Sequence, residues 1–66
     1  MKLSKLSKGD KVVITDNDTF LIMGFDKVSG EILFINDENF AFRCNETGAI
    51  ETCDLFDDGD IKKMNS

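Results

Sequence analysis

The chain contains no histidine, proline, tryptophan or tyrosine, and only two cysteines, Cys44 and Cys53. Each gap removes a kind of chemistry. Without histidine, a cysteine nucleophile lacks the base that would activate it, and a zinc site of the Cys/His type lacks most of its ligands. Two cysteines cannot build the disulfide framework that staples many small domains. Long apolar runs are missing as well. The longest, Phe20 to Phe25, falls far short of the ~20 residues that span a bilayer. The opening "MKLSKLSK" has no apolar core of a secretory signal. These absences together lead us to expect a cytoplasmic protein with reduced thiols, no membrane association, no cofactor, no metal and no enzymatic activity.

Size is also scarce. A chain of 66 residues makes one domain that buries only ~60% of the surface its unfolded form exposes, so its core stabilises it weakly. With disulfides and zinc set aside, self-association is the remaining way to add stability.

Charge is abundant but unevenly placed. Residues 1–11 carry +3, residues 12–61 carry −10 and residues 62–66 carry +2, for a net charge of −5. An acidic body repels phosphate backbones, which argues against direct nucleic-acid binding. The same body is attracted to a basic protein surface, including one that normally holds DNA or RNA. Seven of the eight basic residues are lysine, a usage compatible with the AT-rich coding DNA of many phages and some bacteria.

Along the chain, residues 1–8 read as a basic leader, mobile or loosely docked, and residues 9–66 as a single β domain. "KGDKVVIT" places a Gly-Asp turn before a β-branched strand. "DND" turns the chain into "TFLIMGFD", expected as a second strand with a bulge or bend at Gly24. "KVSG" reads as the next turn and "EILFIN" as a third strand. "DEN" leads into "FAFRCN", whose Phe40, Phe42 and Cys44 alternate with Ala41, Arg43 and Asn45. A tight turn at Thr47-Gly48 leads into "AIETC" and sets Cys53 opposite Phe42, away from Cys44, so both cysteines are expected as buried thiols. "DLFDDG" is a 3₁₀ corner in which Leu55 and Phe56 plug the barrel and Gly59 takes a positive φ. "DIKKM" closes the fold.

The opening "KGDKVV", the hairpin "IMGFDKVSGEILFI" and the tail "TCDLFDDGDIKKM", with its strand, 3₁₀ turn and strand, resemble the SH3-like barrel superfamily. That resemblance implies an all-β fold, a small SH3-like barrel of five or six short antiparallel strands with one 3₁₀ turn before the last. It implies little about function, because such barrels serve many roles.

Two candidate sites stand out. Asp16, Asp18, Asp37, Glu38, Asp57, Asp58 and Asp60 form an acidic rim at the turns. "CDLFDDGD" is no EF-hand, because Phe56 occupies a ligand position and no glutamate follows Gly59. The second site follows from the apolar surplus of "FLIMGF" and "ILFI". If Phe20, Ile22, Ile32 and Phe34 fill the barrel, then Leu21, Met23, Phe25, Leu33 and Ile35 face outward and need cover. We expect that set to form an interface, including a homodimer through the second and third strands.

The leading expectation is a small acidic binding protein of the kind that phages and mobile elements use as inhibitors, occupying a basic surface of a host protein. The alternative is a nucleic-acid or ribosome-associated module using Lys2, Lys5, Lys8 and Lys11 as an arm. A third reading, an enzyme similar to the plasmid-borne type II dihydrofolate reductases, fails on residues. Their Val-Gln-Ile-Tyr segment is Ala-Ile-Glu-Thr here, residues 49–52.

Overall fold

A computed structural model describes residues 6–55 and 59–64. Five strands and one short helix follow the order β1 (Lys11–Thr15), α1 (Asp18–Ile22), β2 (Lys27–Ile35), β3 (Asn39–Cys44), β4 (Ile50–Asp54) and β5 (Asp60–Lys63). All five strands lie in one open antiparallel sheet, ordered β4-β3-β2-β1-β5. The all-β expectation therefore stands, without a closed barrel.

The core comes from alternation. Val12 and Ile14 of β1, Val28 and Ile32 of β2, Phe40, Phe42 and Cys44 of β3, and Cys53 of β4 share the inner face and are buried. Phe20 of α1 joins them, its ring edge-on to Phe42 with centroids 5.9 Å apart. Leu6, Phe25, Ile35, Leu55 and Ile61 pack around this cluster.

Four local expectations are corrected. First, "TFLIMGFD" is not a strand. Asp16 takes a left-handed φ of 58°, and Asn17 caps a helix by accepting from Thr19 N–H (3.0 Å) and Phe20 N–H (3.4 Å). At the other end Gly24, at φ 99°, allows Phe25 N–H to reach the Phe20 carbonyl (2.8 Å) and Gly24 N–H the Leu21 carbonyl (3.0 Å). That pair of bonds is a Schellman cap. Gly24 thus ends a helix and does not bend a strand. The expected hairpin "IMGFDKVSGEILFI" is absent for the same reason.

Second, "KVSG" is not a turn but the first half of the nine-residue β2. Ser-Gly suggests a turn locally, yet Gly30 is needed for close approach. A Cβ there would lie 1.9 Å from the Arg43 carbonyl oxygen.

Third, Ile22 and Phe34 are not inside; they are 87% and 66% exposed. In β2 the cause is a bulge. Ile32 pairs with Phe42 but Phe34 pairs with Ala41, so Leu33 is an extra residue. The inward parity of Val28, Gly30 and Ile32 passes to Ile35, and Phe34 turns out.

Fourth, the β3–β4 loop is longer than a two-residue turn. Cys44 N–H bonds to the Ala49 carbonyl (2.9 Å), and Cys53 pairs with Phe40 rather than Phe42. The slip is two residues, so the faces are unchanged, and both cysteines are buried and in no disulfide.

Candidate functional site

Five of the seven predicted acidic residues lie on segments that meet near the end of β4. Asn17, between Asp16 and Asp18, donates from its side-chain amide to Cys53 Sγ (3.7 Å). Two residues further, Leu55 N–H bonds to the Glu38 carbonyl (2.8 Å). Asn36 shapes that Glu38 turn, its Oδ1 accepting from Glu38 N–H (2.8 Å) and Asn39 N–H (2.9 Å). Gly59 then lies against the Thr15 and Asp16 carbonyls, where a Cβ would meet oxygen at 2.4 and 2.8 Å. Asp60, next in sequence, pairs with Thr15. The β1–α1 junction and the β2–β3 turn, far apart in sequence, thus meet at the β4–β5 corner.

Asp16, Asp18, Asp37, Glu38 and Asp60 are all exposed there, joined by Asp54, the first aspartate of the "CDLFDDGD" stretch. Asp57, Asp58 and Phe56 lie outside the described residues. Among the described residues the one ion pair is Lys63–Asp10 (3.5 Å), so no described cation lies within 4 Å of the described corner carboxylates. Among the described residues no group of three acidic, cysteine or histidine side chains could hold a metal ion. None of their helices is long and apolar enough to cross a membrane.

The predicted apolar set does not stay together. Phe25 and Ile35 pack against the core, and Leu33 is partly buried at the bulge. Leu21 and Met23 remain about half exposed on α1, on either side of Ile22. The other large exposed apolar side chains among the described residues are Phe34 of β2, Ile50 of β4 and Met64, just past β5. The caps at Asn17 and Gly24 were the available signal for the first group. Nothing local marked Phe34, because its exposure depends on the bulge.

The outer face of the sheet has a different character. Strand alternation puts Lys11 and Val13 of β1, Ser29, Glu31 and Phe34 of β2, Ala41 and Arg43 of β3, and Ile50 of β4 on it. Lys62, opposite Val13, and Met64, whose N–H bonds to the Lys11 carbonyl (2.7 Å), extend it onto β5. Glu46 reaches over Ser29, accepting from its N–H (2.7 Å) and its hydroxyl (3.1 Å). Burial raises the Glu46 pKa, but hydrogen bonds from the Ser29 and Glu46 backbone, the Ser29 hydroxyl and the Cys44 thiol outweigh it, and the net shift is downward. The carboxylate is a bracket that continues the β2–β3 ladder past the last strand pair.

No protein-family model, curated protein or solved structure matches the chain.

Proposed function

We propose that this is a small acidic binding protein that acts without catalysis, occupying a basic, nucleic-acid-binding surface of another protein in the manner of phage or mobile-element inhibitors. The observation that carries this reading is the convergence of separate acidic turns on one corner. Carboxylates carried at several points of a folded rim can follow the spacing of phosphates, which an acidic tail cannot do without a larger ordering cost. Among the described residues no cation pairs with the rim carboxylates, which supports a field available to a partner.

The accompanying fold proposal is an SH3-like barrel. The two edge strands, β4 and β5, are consecutive in the chain and separated by five residues, 55–59. The Asn17–Cys53 contact bridges β1's exit to β4, three places away in the strand order. A flat sheet would hold those strands roughly 14 Å apart at ~4.8 Å per strand step, so the sheet curls strongly towards closure.

The test is immobilised protein exposed to extract of the native host, with duplex DNA as the eluting competitor. The expected result is a nucleic-acid-binding protein that is retained at low salt and released by DNA and by rising salt. Changing Asp57, Asp58 and Asp60 to Asn together should reduce that retention several-fold. If the triple variant instead gains affinity for DNA or RNA, repulsion was masking a nucleic-acid site, and the lysine-arm reading replaces this one.

A further inference from the structure

We infer that two copies of this chain pair edge to edge through β5, antiparallel and centred on Ile61, so that the sheet continues from one copy into the other. This goes beyond the acidic-rim reading and stands without it. β5 is the last strand of the open sheet, with β1 on one side and, among the described residues, no strand on the other. Hydrogen-bond polarity shows what that free edge offers. Met64 N–H bonds to the Lys11 carbonyl (2.7 Å), so the backbone groups of Asp60 and Lys62 also face β1. Those of Ile61 and Lys63 therefore point away from the sheet. An unpaired strand edge of this kind is a template for a further strand.

The side chains of β5 select a second copy. In a two-fold register centred on Ile61, the two Ile61 residues exchange both backbone bonds, and Asp60 of each copy stands opposite Lys62 of the other. Asp60 and Lys62 share one face, where they pair with Thr15 and Val13 of β1, and both are exposed. Neither has an ion pair within its own chain among the described residues. Two opposite-charge cross-strand pairs thus form at once. Ile61, half-buried against the core on the inner face, meets its own copy there. Lysines on an edge ordinarily discourage pairing, but here each Lys62 has an aspartate to meet. Shifted by one residue, the register would oppose the two Lys62 side chains. β4, the other edge, lacks such a match. Centred on Thr52 it sets Ile50 against Asp54, and centred on Glu51 it opposes two glutamates. The β5 contact is isologous and closes at two copies.

The experiment uses three full-length variants, Asp60→Lys, Lys62→Asp and the double exchange of both, with sedimentation equilibrium at low salt. Both positions are exposed, so the fold should survive, and a strand-type circular dichroism spectrum with cooperative melting verifies it. The wild type should reach twice the 7.4 kDa monomer mass as concentration rises, and grow no further. Each single variant opposes like charges at both pairs and should dimerise at least about tenfold more weakly. The double exchange restores both pairs and should dimerise as the wild type does. An equal mixture of the two single variants should also dimerise, because each substituted position then meets the opposite charge. A wild type that stays monomeric at millimolar concentration overturns the inference. So do single variants that dimerise as strongly as wild type, or a double exchange and a mixture that recover nothing.

Discussion

β3 and the segment around α1 are similarly rich in apolar residues, but they use them in opposite ways. Asn39–Cys44 buries every second side chain, Phe40, Phe42 and Cys44, and shows solvent the rest. Asp18–Met23 buries Phe20 alone and leaves three successive apolar residues at the surface. The difference arises at the ends. β3 lies between two strands whose ladders hold its pleat, so period-two alternation decides its burial. α1 is bounded by Asn17 and Gly24, whose capping bonds outweigh the β-propensity of the residues between them. Apolar content therefore predicts burial only after the backbone conformation is known.

The largest effect that would sharpen this contrast is expected in β3. Phe42 is fully buried and its ring meets both Phe20 and Phe40, the latter with centroids 5.7 Å apart. Phe42→Ala should cost about 3–5 kcal/mol. A domain this small rarely has more than ~3–5 kcal/mol in reserve, so the variant should be largely unfolded before urea is added. A retained urea midpoint would mean that the core lies elsewhere.

Next comes the cap. Asn17→Ala removes the acceptor for two helix N–H groups and the amide contact to Cys53, at an expected cost of about 1–2 kcal/mol. The urea midpoint should fall while the slope stays constant. No change would show that Phe20 alone holds α1, and the contrast drawn above would fail.

A smaller effect is expected in the pH dependence. The folded pKa of Glu46 lies below its unfolded value, so the carboxylate's contribution is complete above the unfolded pKa and is lost as pH falls through the folded one. Glu46→Gln should flatten the acid limb of stability and leave neutral-to-alkaline behaviour parallel to wild type. A steeper acid limb in the variant would contradict the bracket role.

The smallest change is predicted for the most exposed apolar residue. In dilute solution Ile22→Ser should alter stability by no more than about 0.5 kcal/mol, despite removing a large aliphatic side chain. A cost near that of Phe42→Ala would place Ile22 in a core and return α1 to the strand reading.

What the sequence by itself determined was whatever depends on neighbours in the chain. β-branched alternation marked β1, Phe40-Ala-Phe-Arg-Cys marked β3, and Gly59 was assigned its positive φ, which is 100°. The all-β character followed, as did the buried thiols and the uneven charge. Tertiary structure decided the features that need a second strand. The register slip at Leu33 is a relation between β2 and β3, and it inverts Phe34 and Ile35 without any local mark. Gly30 reads as a turn until the Arg43 carbonyl is seen to occupy its Cβ position. The acidic turns were each legible, but their meeting was not. It depends on Asn17 reaching Cys53 and Leu55 reaching Glu38, contacts across 36 and 17 residues that exist only once the sheet has curled. Local propensity sets which conformations each segment can adopt, and long-range pairing selects among them because that is where the buried area and the hydrogen bonds are gained.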